Sequence, residues 1–119
     1  MTQRTLTITL GADWKNVLRQ AGKAAQADGY QGEILNFETP AAFFGRLTER
    51  RWAIVHALQQ AGNVVGVREL ARRLERDVKR VHEDAAVLVE LGLVERTDSG
   101  ALLCPFADIH VDMHLARAA

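Results

Sequence analysis

Two apolar stripes with three residues between them constrain this chain more than any other feature. Over Gly66–Arg96 it reads GVRELARRLERDVKRVHEDAAVLVELGLVER. Val67, Leu70, Ala71 and Leu74 recur at i, i+3, i+4 and i+7, and Val78, Val81, Ala85, Leu88 and Leu91 follow at intervals of three and four. Each run predicts an amphipathic helix. Only Glu75, Arg76 and Asp77 connect the two, too few to let the helices lie side by side. Asp77 suits the N-cap of the second helix, its carboxylate accepting from the free N–H groups of the next turn, and Gly92 suits the left-handed position that ends it. Leu93–Arg96, Thr97–Gly100 and Ala101–Cys104 then spell strand, turn and strand. A helix-turn-helix followed by a hairpin predicts a winged helix, a shape that lays its second helix in a DNA major groove.

The flanking segments carry shorter signals. Leu6, Ile8 and Leu10 alternate with threonines, the period of a half-buried strand, and Gly11 breaks it. Asp13 can cap a helix over 13–27 in which Trp14, Val17, Leu18, Ala21 and Ala25 share a face. Glu33–Glu38 reads as a second strand, and Thr39-Pro40 as a cap with proline at the first position of a short helix ending at Leu47. Thr48 caps the next helix, in which Trp52, Val55 and Leu58 face inward and which Gly62 closes; it is the supporting helix a winged helix needs. Val64-Val65 can add a short edge strand to the wing. Ile109, Val111, Met113 and Leu115 alternate with His110, Asp112 and His114 in a last strand with one apolar face.

The expected fold is therefore α+β: a winged helix-turn-helix over 47–106, an N-terminal β-α-β extension over 1–46, and a C-terminal strand over 107–119. The two chain ends and the 33–38 strand are expected to build a small accessory sheet, the natural surface for a homodimer because its edges and an apolar helix face lack other cover.

A chain of 119 residues, 48% hydrophobic and 25% charged, is long enough for one real core. It offers no run long enough to span a bilayer and no apolar secretory segment at its start. The lone Cys104 excludes an internal disulfide and fits a reducing, cytoplasmic setting. Formal net charge is zero, but unevenly distributed. Nine basic residues face four acidic ones from Arg46 to Arg80, an excess of five, whereas two face seven from Val81 onward, a deficit of five. A local field of one sign can attract DNA to a neutral molecule.

The run LTERRWAIVHAL followed by VRELARRLERDVKRVHEDAAVLVELGLVER resembles MarR-like winged helix-turn-helix transcriptional regulators of bacteria and archaea. More narrowly, it is similar to a small antitoxin-type DNA-binding family of about this length, often found beside toxin-like genes. The residues that carry the resemblance are Phe37-Glu38, Leu47-Thr48 with Arg51, Arg68–Leu74, Arg76–Asp84, Leu88–Val94 and Pro105. It is strongest from Leu47 to Val94. It implies a dimeric, sequence-specific binder of double-stranded DNA that represses transcription, its own operon included. The alternative it implies is an antitoxin that sequesters a cognate toxin through the accessory sheet, with or without autorepression. The chain departs from the pattern at Glu83, where a basic residue is expected, and at Ala85-Ala86, where valine and lysine are expected. These departures allow a third use, a winged helix serving protein contact alone.

The buried stripe of 78–91 leaves Lys79, Arg80, His82, Glu83 and Ala86 pointing outward. Arg76 and Arg80 can each present a fork to guanine, while Lys79 delivers a point charge to phosphate or base. Arg68 and Arg72 would sit over the backbone and set register. His82 suits either the groove or a neighbouring carboxylate. Asp84, one turn from Arg80, is expected to pair with it. The wing tip has Asp98 and no base, so Arg96 alone could reach a minor groove. His110, Asp112 and His114 would share a strand face, but at ~3.3 Å per residue they span about 13 Å, too far to grip one metal ion. A polar strand face is the preferred reading, with no cofactor. No phosphate loop, CxxC pair or nucleophile elbow supports an enzyme.

Overall fold

In the computed structural model, which describes residues 4–11 and 32–114, the alternating N-terminal run forms β1 (Arg4–Leu10). Leu6 and Ile8 are buried, and so is Thr9 on the opposite face, where its hydroxyl donates to Asn36 Oδ1 at 2.8 Å. β1 is thus covered on both faces at this point rather than on one. β1 is the middle strand of a three-stranded sheet, ordered β2-β1-β5, with β2 (Glu33–Phe37) and β5 (Phe106–Asp112) at the edges. β2 runs parallel to β1 in a register that sets Leu6 against Glu33 and Leu10 against Phe37. Arg4 grips Glu33 with two hydrogen bonds of 2.8 and 2.7 Å at the start of the pair. Gly32, at φ +73°, enters β2 where a Cβ would lie 2.9 Å from the Thr5 hydroxyl, so a side chain fits there neither in backbone nor in space. The helix expected over 13–27 lies outside the described residues.

Thr39 accepts from the Ala42 amide at 3.1 Å and Pro40 opens α1 (Pro40–Arg46). Phe43 of this helix is buried edge-on against Phe37, with ring centres 5.5 Å apart.

The chain divides into two compact units, Met1–Gly45 with Asp108–Ala119, and Arg46–Ala107. In the second, Thr48 caps α2 (Glu49–Ala61) and Gly62 closes it in the left-handed conformation. Ile54, Val55 and Leu58 are its buried residues; Trp52, expected inside, is half-exposed. α3 (Val67–Leu74) and α4 (Val78–Leu91) pack on each other and on α2, and the buried alanines Ala71 and Ala85 keep their facing surfaces low. The three-residue turn is as short as the sequence requires. Glu75 takes a left-handed conformation (φ 54°, ψ 47°), and the Arg76 amide returns to the Ala71 carbonyl at 3.0 Å. Asp77 then accepts from the Arg80 amide at 3.2 Å and starts α4, which ends at left-handed Gly92.

β3 (Glu95–Arg96) and β4 (Leu102–Leu103) form an antiparallel hairpin, shorter than the four-residue strands expected. The amides of Leu93 and Val94 bond the Leu88 carbonyl, finishing α4 instead of entering the ladder, and both side chains go into the core. Val65 bridges to Leu102, so the Val64-Val65 segment does add a strand position to the hairpin. β5 starts earlier than the sequence pattern suggested and ends at Asp112. Its apolar face is less covered than expected: Val111 and Met113 are each 37% exposed. Four helices and these two sheets among the described residues make the fold α+β. No described helix is long and apolar enough to cross a membrane.

Candidate nucleic-acid interface

The apolar stripe of α4 determines what its other side presents. With Val81, Ala85 and Leu88 buried, the side chains of Lys79, Arg80, His82, Glu83 and Ala86 are all exposed. Val78, read from its spacing as part of the buried stripe, is 40% exposed instead. As the first residue of the helix it has no preceding turn to pack against. Among the described residues, neither Lys79 nor Arg80 has a carboxylate within ion-pair distance, and the same holds for Arg68 on α3 and Arg96 on β3. Two bases in the first turn of α4 are therefore available to an outside anion, with Glu83 one turn further along as an acid among them.

Arg72 is exposed but not idle. Its guanidinium forks onto Glu69, with Nε on Oε2 at 2.9 Å and Nη2 on Oε1, and Arg73 Nε reaches the same carboxylate at 3.1 Å. The hydrogen bonds from Arg72 and then Arg73 hold the Glu69 carboxyl down at about 2. Such exposed pairs are screened by water and worth little, so a phosphate oxygen can replace Glu69 on Arg72 at small cost.

Arg76 is placed otherwise than expected. Its Nη2 donates to Asp84 Oδ2 at 2.7 Å, while Arg51 Nε, from α2, donates to Asp84 Oδ1 at 3.1 Å. The three side chains retain only 15%, 18% and 20% exposure for Arg76, Asp84 and Arg51. Arg51 also donates through Nη1 to the Arg46 carbonyl at 2.8 Å. The expected Arg80–Asp84 pair does not form, because two other guanidiniums occupy both carboxylate oxygens. Burial pushes the Asp84 carboxyl up, but the hydrogen bonds and charges of Arg76 and Arg51 outweigh it and hold it below its usual value. Arg76 therefore ties the α3–α4 turn to the body of its unit, and its Nη1, which has no hydrogen-bond partner among the described residues, is buried out of reach of a base.

This triad is what the residue-by-residue reading missed. Arg51 and Asp84 stand 33 residues apart, and no local pattern joins them. The one signal was that Arg51, Arg76 and Asp84 all lie among the residues that carried the family resemblance.

Elsewhere the chemistry is sparse. No three His, Cys, Asp or Glu side chains among the described residues stand close enough to hold a metal ion, and His114 lies beyond the end of β5. Cys104 Sγ rests 3.7 Å from the Phe106 carbonyl, and burial pushes its thiol up, away from the nucleophilic thiolate. The hairpin tip is held by Thr97, whose hydroxyl accepts from the Ala101 amide at 3.1 Å.

Residues 46–111 match the model of the HVO_A0114 family, a span that takes in α2, the α3–α4 pair, the hairpin and nearly all of β5. No curated protein and no solved structure matches the chain.

Proposed function

We propose that this chain, which belongs to the HVO_A0114 family, is a sequence-specific binder of double-stranded DNA that regulates transcription as a dimeric repressor. In this reading Arg46–Ala107 is a winged helix-turn-helix, α4 is its recognition helix and the β3–β4 hairpin its wing. The observation that carries the reading is the first turn of α4, where Lys79 and Arg80 stand exposed and without a carboxylate partner among the described residues. A recognition helix meets base edges with its N-terminal residues first, so these two side chains lead. Arg80 offers the bidentate fork that guanine O6 and N7 accept, and Lys79 a charge for phosphate or base. Arg68 and Arg72 on α3 suit the backbone, and His82 lies one turn deeper along α4. Arg96 is exposed at the base of the hairpin, next to the acidic tip, so the wing contributes little.

The test is in vitro selection of DNA by the purified chain, read by sequencing. A near-palindromic site with half-sites about one helical turn apart is the expected product. No enrichment over random DNA would overturn the reading, and would favour a protein-contact role for the same helix.

A further inference from the structure

β5 is an edge strand, so among the described residues one of its sides has no strand beside it. Its outer run continues past the strand end and reads Asp108-Ile109-His110-Val111-Asp112-Met113-His114. Of these, Asp108, His110, Val111, Met113 and His114 are exposed. Such an edge is a template for another strand unless something covers it.

The order of residues indicates what covers it. About Val111 the run is symmetric in apolar character, and each histidine mirrors an aspartate. Ile109 lies two before and Met113 two after; His110 lies one before and Asp112 one after; Asp108 lies three before and His114 three after. In an antiparallel pair related by a two-fold axis, residues equally far from the axis on the two strands face each other. An axis at Val111 sets His110 of one copy against Asp112 of the other, and Asp108 against His114. It sets Ile109 against Met113 and Val111 against itself. Alternation puts all the His–Asp pairs on one face and all the apolar pairs on the other. Shifting the axis by one residue destroys this, opposing Asp108 to Asp112 in one direction and Asp112 to itself in the other; like charges directly opposite are unfavourable.

We infer that β5 pairs antiparallel with β5 of a second copy of this chain about a two-fold axis through Val111, joining two three-stranded sheets into one of six. The pairing adds cover to Val111 and Met113, which are each 37% exposed in a single copy. It does not depend on the DNA-binding reading.

The test uses the full chain with Cys104→Ser, so that an introduced thiol is the only one. Facing residues in an antiparallel pair have Cα atoms about 4.5–5.5 Å apart, inside the ~4.4–6.8 Å that a disulfide spans. Val111→Cys is therefore expected to form a covalent dimer on mild oxidation. Ile109→Cys, about 13 Å along the strand from its own copy by the ~3.3 Å rise, is expected to form at least ten-fold less. In sedimentation, His110→Asp, which opposes aspartate to aspartate, is expected to shift the dimer to monomer, and adding Asp112→His to restore it. A native chain that is monomeric at about 100 µM, cross-linking from position 109 equal to that from 111, or a dimer indifferent to His110→Asp would each overturn the inference. A dimer that binds selected DNA but does not cross-link through position 111 would overturn this interface and leave the proposed function standing.

Discussion

Asp84 holds two guanidiniums at once, Arg51 from α2 and Arg76 from the α3–α4 turn, in a setting that leaves the carboxylate 18% exposed. Removing either arginine leaves the carboxylate one partner; removing the carboxylate leaves two half-buried cations facing each other, at a cost of about 3 kcal/mol. This distinguishes Arg76 from Arg80. Arg76→Ala is expected to lower the urea midpoint while leaving the slope of log affinity against log salt for selected DNA unchanged. Arg80→Ala is expected to keep stability within about 0.5 kcal/mol and to weaken binding to selected DNA by about 1–3 kcal/mol while relaxing its specificity. Equal losses of affinity for selected DNA in both variants would contradict the assignment. Acid offers a second check. The Asp84 carboxyl lies below its usual 3.8 in the folded chain, so its stabilising contribution is complete above that value. It is lost as pH falls through the lower folded value, when the proton that the unfolded chain binds more readily must also be taken up by the native one. The stability gap between native chain and Asp84→Asn should therefore be constant above about pH 5 and shrink below about pH 4, as followed by urea unfolding.

The turn between α3 and α4 has a cost of its own. Glu75 is the single described non-glycine residue at positive φ, a conformation that costs an L-residue roughly 1–2 kcal/mol. Glycine would remove most of that and return part of it as chain entropy, so Glu75→Gly is expected to stabilise by about 0.5–1 kcal/mol in denaturant titration. A loss of stability would mean the turn relies on a Glu75 interaction beyond its backbone. At this scale much could be read in advance. Thr39, Thr48, Asp77, Gly62 and Gly92 act where their types predict, because a cap depends on three or four neighbouring residues. Strand lengths were harder, since whether Leu93 and Val94 belong to the hairpin or to the close of α4 depends on which acceptor their amides find. The exposure of Val78 and of Val111 was not legible for a related reason: periodicity marks residues able to be buried, and only the surrounding chain decides whether cover arrives.

Across the whole chain a formal charge of zero conceals a basic stretch from Arg46 to Arg80 and an acidic remainder. Part of that basic excess is internal, because Arg51 and Arg76 are committed to Asp84, which no charge count could foresee. Under the proposed function, phosphate contacts by Arg68, Arg72 and Lys79 of each copy contribute about −2.7 to the salt slope on duplex DNA, from about −0.9 per contact. Binding insensitive to salt would exclude all three from phosphate. The Val65–Leu102 bridge bears on how the Arg46–Ala107 unit opens. The two residues exchange reciprocal N–H···O bonds of 2.8 Å and are both buried, tying the loop before α3 to the second strand of the hairpin. In hydrogen–deuterium exchange, the amides of Val65 and Leu102 should fall in the slowest class with those of Leu70 and Leu88, while the Gly100 amide at the tip exchanges through local fluctuation. Deuterium uptake at the hairpin base would then measure the free energy of opening the entire unit.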